Sequence, residues 1–204
     1  PELMCHGIST AGELAPLLSR ATVVAIGPGL GRSAWSRQLL SQVLQTRLPL
    51  VVDADALNLL SQECDRREHW VITPHPGEAG RLLGRAVDEI QHDRFAAVRE
   101  LVDRYGGTAV LKGAGSLVCT ADRPVAVCTA GNPGMATAGM GDVLTGVIAA
   151  LVAQGLSLPD AAVLGVCLHG QAGDRAAAAG ERGLMARDLI DELRHVINAQ
   201  DETA

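Results

Sequence analysis

Short β-branched or apolar runs recur along this chain, each cut off by a glycine, proline or acidic residue and followed by a helix-length segment. Nothing else in the sequence narrows its fold as much. Residues 22–26 (TVVAI) end at Gly27-Pro28-Gly29-Leu30-Gly31, and Ser33 can then cap a helix reaching about Thr46. Leu50–Val52 leads to Asp53 and Asp55, with a helix over about 54–61. Trp70–Ile72 leads to Thr73-Pro74-His75-Pro76-Gly77-Glu78 and a helix ending near Gly84. A helix over about 91–105 precedes Gly106-Gly107, after which Thr108–Leu111 ends at Lys112-Gly113-Ala114-Gly115-Ser116. Short strands are expected at 116–119 and 125–128, and Ala-rich helices near 141–154, 159–179 and 186–199. This alternation predicts an α/β fold, a three-layer α/β/α sandwich around a mostly parallel sheet, with no linker or repeat dividing the chain. Ligands bind such sheets at the carboxyl ends of strands, where Gly29, Asp53, His75, Glu78 and Lys112 all fall.

Composition excludes several classes of function. With 48% apolar residues, 204 residues can build a sizeable core. A net charge of −6 without any basic block argues against nucleic acid as a partner, and 2% aromatic residues leave little to stack bases on. The most apolar stretch, residues 143–153, is interrupted by Gly146 and is shorter than the roughly 20 residues of a membrane span. The first ten residues lack the basic start and apolar centre of a signal peptide, so a cytoplasmic protein is expected. Cys5, Cys64, Cys119, Cys128 and Cys167 contain no C-x-x-C pair and read as reduced, mostly buried thiols.

The chemistry concentrates in Asn132-Pro133-Gly134-Met135-Ala136-Thr137-Ala138-Gly139-Met140-Gly141-Asp142, which runs directly into an apolar helix. Glycines there can leave several backbone N–H groups pointing one way at a positive helix end, a nest for a transferring phosphoryl group. Asp142 is then placed to accept a proton from an attacking hydroxyl, a role worth around 10²–10⁴-fold. The plain alternative is a carboxylate that merely charges the helix start, but the polar run is longer than a cap needs. Lys112 to Ser116 could wrap a nucleotide phosphate; alone it would more often be a hairpin turn, and it lacks the G-K-[ST] ending of a Walker loop. Prolines on both sides fix the backbone of His75 and favour a ligand contact, whereas Glu78 in a first helical turn could be present only for the ~0.3–1 kcal/mol of dipole stabilisation. Gly27 to Gly31 has Arg32 where a dinucleotide fingerprint needs glycine, which disfavours a Rossmann dehydrogenase. His169 and Asp174, in an Ala/Gly-rich helix, read as packing residues.

Together, Gly-Pro-Gly-Leu-Gly (27–31), Asp-Ala-Asp-Ala-Leu (53–57), Thr-Pro-His-Pro-Gly-Glu (73–78), Lys-Gly-Ala-Gly-Ser (112–116) and Gly-Met-Gly-Asp-Val-Leu-Thr-Gly (139–146) closely resemble the ADP-dependent NAD(P)H-hydrate dehydratases of the ribokinase-like superfamily. The resemblance implies dehydration of the S epimers of hydrated NADH and NADPH (NADHX and NADPHX), coupled to conversion of ADP into AMP and phosphate. It implies that Asp142 is the base, that Gly139, Met140 and Gly141 stabilise the transferring phosphate, and that Lys112 to Ser116 with Asn132 to Gly141 hold ADP. It further implies that Gly29, His75, Pro76, Gly77, Glu78, Ala79, Gly80, Arg81 and Asp142 contact the hydrate. Mg²⁺ is expected on the phosphates, reached by Glu78 through water, because the 73–78 motif occupies the place of the superfamily's metal-linked Asn-x-x-Glu. A homotetramer is implied too. Family members carry a further glycine-rich strand and helices ahead of the segment matching Pro1, and the bifunctional ones an epimerase domain, so the resemblance implies that residues 1–204 are a single, partial dehydratase domain lacking those first strands and any epimerase domain. The alternatives are a vitamin kinase of the same superfamily and a non-catalytic nucleotide-binding module.

Overall fold

The computed structural model describes residues 3–62 and 65–198. Its elements are α1 (Ala11–Leu18), β1 (Val24–Ile26), α2 (Ala34–Leu44), β2 (Leu50–Val52), α3 (Ala54–Leu60), β3 (Trp70–Ile72), α4 (Pro76–Leu83), α5 (Val87–His92), α6 (Arg94–Tyr105), β4 (Thr108–Leu111), β5 (Ser116–Thr120), β6 (Arg123–Cys128), α7 (Met140–Ala153), α8 (Leu158–Ala176) and α9 (Ala186–Ile197). One six-stranded sheet runs in the order β1-β2-β3-β4-β5-β6, parallel through β4 and antiparallel in the last two pairings. Parallel neighbours need a crossover, which the helices between β1, β2, β3 and β4 supply, whereas the short turns after β4 and β5 reverse the chain.

The period-2 alternation of strand side chains builds a core on each face of the sheet. Leu50, Val52, Trp70, Ile72 and Leu111 point to one side, where they pack with Leu57, Leu82, Leu101 and Tyr105 from α3, α4 and α6. Val51, Val71, Val110 and Val118 point to the other, against Leu144, Ile148 and Val166 from α7 and α8. All three residues of β2 and of β3 are buried, as expected of strands covered on both faces. The three layers predicted from sequence are present.

Some boundaries differ from expectation. The helix expected over 91–105 is two, broken where Asp93 adopts φ −138° and ψ 84° and its carboxylate accepts the N–H of Ala96 at 2.9 Å. The helix expected over 159–179 begins at Leu158, capped by Ser157, and its last residues form a 3₁₀ turn at Ala177–Ala179. The end of the last expected helix, at Ala199, lies outside the described residues, as does Cys64. Among the described thiols, all free, Cys119 and Cys128 are buried, Cys167 is half-buried and Cys5 is exposed. No helix among the described residues is long and apolar enough to cross a membrane.

Candidate active site

The carboxyl ends of β2, β3 and β4 and the first turns of α7 meet over one opening, whose floor is a buried ion pair. Asp53, 1% exposed, accepts a hydrogen bond from Lys112 Nζ at 2.6 Å through Oδ1 and from Thr145 Oγ1 at 2.8 Å through Oδ2. A carboxylate at this depth is tolerated only because both of its oxygens are satisfied. The ammonium of Lys112 also lies 3.8 Å from Glu78 Oε2.

His75 and Glu78 start α4 together. Nδ1 of His75 accepts the backbone N–H of Gly77 at 3.0 Å and of Glu78 at 3.4 Å, and Glu78 Oε2 accepts the N–H of His75 at 2.9 Å. With Pro76 at the first helical position, this is a reciprocal capping box made by a histidine. Nδ1 accepts, so the ring proton resides on Nε2. Burial lowers the His75 pKa below the ordinary histidine value of 6.5, against the opposing pull of the Glu78 carboxylate. The capping role weighed for Glu78 is therefore real, and it coexists with a place beside Lys112.

The lysine loop is clamped from behind. Arg94, the first residue of α6, donates to the carbonyls of Leu111 at 3.1 Å, Lys112 at 3.4 Å and Ala114. Gly113 and Gly115 take positive φ, of 145° and 67°, which a side chain would rarely allow. The second glycine-rich segment is tied to α8: Asn132 Nδ2 donates to Gly173 O and Asp174 Oδ1 at 3.0 Å each, and Asp174 Oδ2 accepts the N–H of Gly131 at 2.9 Å. Gly170 and Gly173 allow this close approach, since a Cβ at either would strike Ala130 or Met135. Packing, as read for this helix, is what its glycines do.

Gly139 caps α7 in the left-handed region, φ 87°, and no side chain caps the helix. The N–H groups of its first turn thus remain available beside Asp142, at the positive end of the dipole. A Cβ at Gly141 would lie 3.1 Å from Lys112 Nζ, so the helix start passes directly over the ammonium.

Two cavities flank this junction. One, of about 360 Å³, is lined by Asp53, Ala54, His75, Pro76, Glu78 and Asp142. The other, of about 540 Å³, lies between the lysine loop, residues 129–136 and α8, with His169 and Gly170 in its wall. Lys112, Gly113 and Gly141 line both, so they form the partition.

The structure gathers His75, Pro76, Glu78 and Asp142 in the smaller cavity, and Lys112 to Ser116 with Asn132, Pro133, Met135, Ala136 and Gly141 in the larger. Other candidate residues line neither. Gly29 is exposed in its own loop, and Arg81 donates to Asn58 Oδ1 at 2.6 Å. Ala79, on α4 itself, is buried in the core, and Gly80 packs on the Arg85 carbonyl. Gly77, Gly134, Thr137, Ala138 and Gly139 shape the backbone nearby, and Met140 is buried in the core while its carbonyl contacts His169 Nε2 at 2.9 Å. Sequence reasoning missed Arg94 and Thr145. Thr145 had a signal: it stands four residues after Gly141 and so shares its helix face.

The model of the NAD(P)H-hydrate dehydratase family matches residues 1–195. The bifunctional NAD(P)H-hydrate repair enzyme of Coxiella burnetii is 56% identical over 199 residues, covering 97% of this chain and 41% of that protein. The chain thus spans less than half the length of that relative. The ADP-dependent (S)-NAD(P)H-hydrate dehydratase of Neisseria meningitidis is 42% identical over 207 residues, covering 97% of this chain and 69% of that one. Among solved structures, the ADP/ATP-dependent NAD(P)H-hydrate dehydratase of Bacillus subtilis, co-crystallised with ATP and Mg²⁺ and soaked with CoA, superposes with a TM-score of 0.76 at 30% identity, over 86% of this chain and 65% of that one. The layered arrangement is that of the ribokinase-like fold.

Proposed function

The chain belongs to the NAD(P)H-hydrate dehydratase family, and from that premise we propose that it removes water from the S epimer of hydrated NADH or NADPH while converting ADP into AMP and phosphate. The observation that carries this reading is the partition: Lys112 and Gly141 line both cavities, and Asp142 lines only the smaller. ADP occupies the larger cavity, with its terminal phosphate at the partition, and the hydrated ring occupies the smaller. Asp142 takes the proton of the ring hydroxyl as its oxygen bonds to phosphorus, and the bridging oxygen leaves with AMP. The ring carbon–oxygen bond then breaks with loss of a proton from the neighbouring carbon, which releases phosphate and restores the double bond. The N–H groups at the start of α7 and the Lys112 ammonium stabilise the charge that builds on the phosphoryl oxygens.

Among the described residues no three His, Cys, Asp or Glu side chains gather into a metal cage. The carboxylates of Glu78 and Asp142 in the smaller cavity fit Mg²⁺, which is commonly held by substrate phosphates and one or two carboxylates. Glu78, its Oε2 already engaged by the His75 N–H, would reach the ion through water. When bound, the ion neutralises phosphate charge.

Incubating the protein with ADP and the hydrated dinucleotide tests the reading. Recovery of the reduced-nicotinamide absorbance with one AMP and one phosphate per turnover is expected. Recovery that needs no nucleotide, or a phosphorylated vitamin as the lasting product, would contradict it.

A further inference from the structure

Of the 17 lysine and arginine residues, Lys112 is the one lysine. An ammonium is a compact charge on a flexible stem, so its position has to come from what holds it. Asp53 holds it, and the same carboxylate takes the hydroxyl of Thr145. One buried side chain therefore joins the lysine loop, at the end of β4, to the helix whose first turn carries Gly141 and Asp142. The backbone around Asp53 is constrained as well: Ala54, which follows it, is the single non-glycine residue with positive φ among the described residues, at 49°. A residue kept in that region marks a position its surroundings over-determine. Gly27, on the neighbouring strand end, leaves room for the Asp53 carbonyl, which a Cβ there would strike.

We propose that Asp53 is a positioning residue for phosphoryl transfer, pinning the lysine ammonium at the partition between the two cavities and the catalytic helix to the same point. The inference rests on the dehydratase reading and deepens it. Arg94 holds the lysine loop independently, so losing the Asp53 carboxylate leaves the backbone groups around ADP in place while the ammonium keeps only its longer, 3.8 Å contact with Glu78. The consequence falls on kcat rather than on ADP affinity, because small misplacements of a transition-state group cost up to about 10²-fold.

The test uses Asp53→Asn, Lys112→Met, their double variant, Thr145→Ser and Thr145→Val, with two readouts. In turnover, Asp53→Asn is expected to lower kcat about tenfold to hundredfold with the ADP KM moved by less than about threefold. The double variant is expected to be no slower than Lys112→Met alone, and Thr145→Ser to keep the rate that Thr145→Val loses. In nitrogen-15 spectra, the one lysine gives one ammonium signal, visible in the wild type because the hydrogen bond slows exchange with water and lost in Asp53→Asn. Unchanged kcat in Asp53→Asn, losses that multiply in the double variant, or a persisting ammonium signal would overturn the proposal. If Asp53→Asn fails to fold, the Thr145 pair decides, equal rates in the two variants counting against it. A wild type that dehydrates nothing defeats the dehydratase reading, and the spectra still decide whether Asp53 fixes Lys112.

Discussion

At Gly141 a single methyl group separates stability from activity. The position lies in the first turn of α7, where alanine is worth ~0.5–1 kcal/mol more than glycine to a helix, yet the added carbon would meet Lys112 Nζ at 3.1 Å. Gly141→Ala is therefore expected to melt no lower than the wild type while turning over about tenfold more slowly, as befits a displaced transition-state charge; equal rates would show that the ammonium yields freely. His169 supplies a second test. The Met140 carbonyl can only accept, so the His169 Nε2 carries the proton, and burial lowers the pKa of the ring below its ordinary 6.5. The folded ring stays neutral at pH values where the unfolded one takes up a proton, so its contribution to stability is complete above 6.5 and is lost as pH falls toward the lowered value. Thermal melts should show the wild type losing stability below pH 6.5 more steeply than His169→Gln. At this scale the sequence was legible wherever a residue's company was local, as in 73–78 or 139–142. Arg94 was not legible, because the carbonyls it binds lie some 20 residues further along the chain.

Among the elements, the second glycine-rich segment owes its shape to α8. Asp174 accepts from both Gly131 N and the Asn132 amide, and hydrogen bonds to a charged group are worth ~1.5–3 kcal/mol. Asp174→Ala is expected to raise the ADP KM by about tenfold with kcat largely kept, since ~1.4 kcal/mol corresponds to a factor of ten; a fall in kcat alone would move Asp174 into the chemistry. Helix starts announced by proline, serine or glycine were read correctly, as at α2 and α4. The division of α5 from α6 was not, because no breaker stands there: one aspartate caps α6 with its own side chain, a choice that local propensity does not reveal.

Across the whole molecule, the alternation of strand residues creates two cores that share one sheet. Leu101→Ala on one face and Ile148→Ala on the other should each cost ~2–5 kcal/mol, and each variant should still unfold in one transition; two separate transitions would mean that the layers fold independently. The α/β order was legible because each strand is short, apolar and punctuated. The junction between the cavities was not, since it depends on Lys112, Asp53 and Thr145, which are 59 and 92 residues apart in their pairings. That junction is where the account stands or falls, and Asp142→Asn tests it most directly, because the amide keeps the shape of the carboxylate and loses its basicity. Calorimetry should find ADP bound within about threefold of wild type, while hydrate turnover falls by ~10²–10⁴-fold. Turnover that survives the substitution, or that is lost only in proportion to ADP binding, would contradict the assignment of Asp142 as the base.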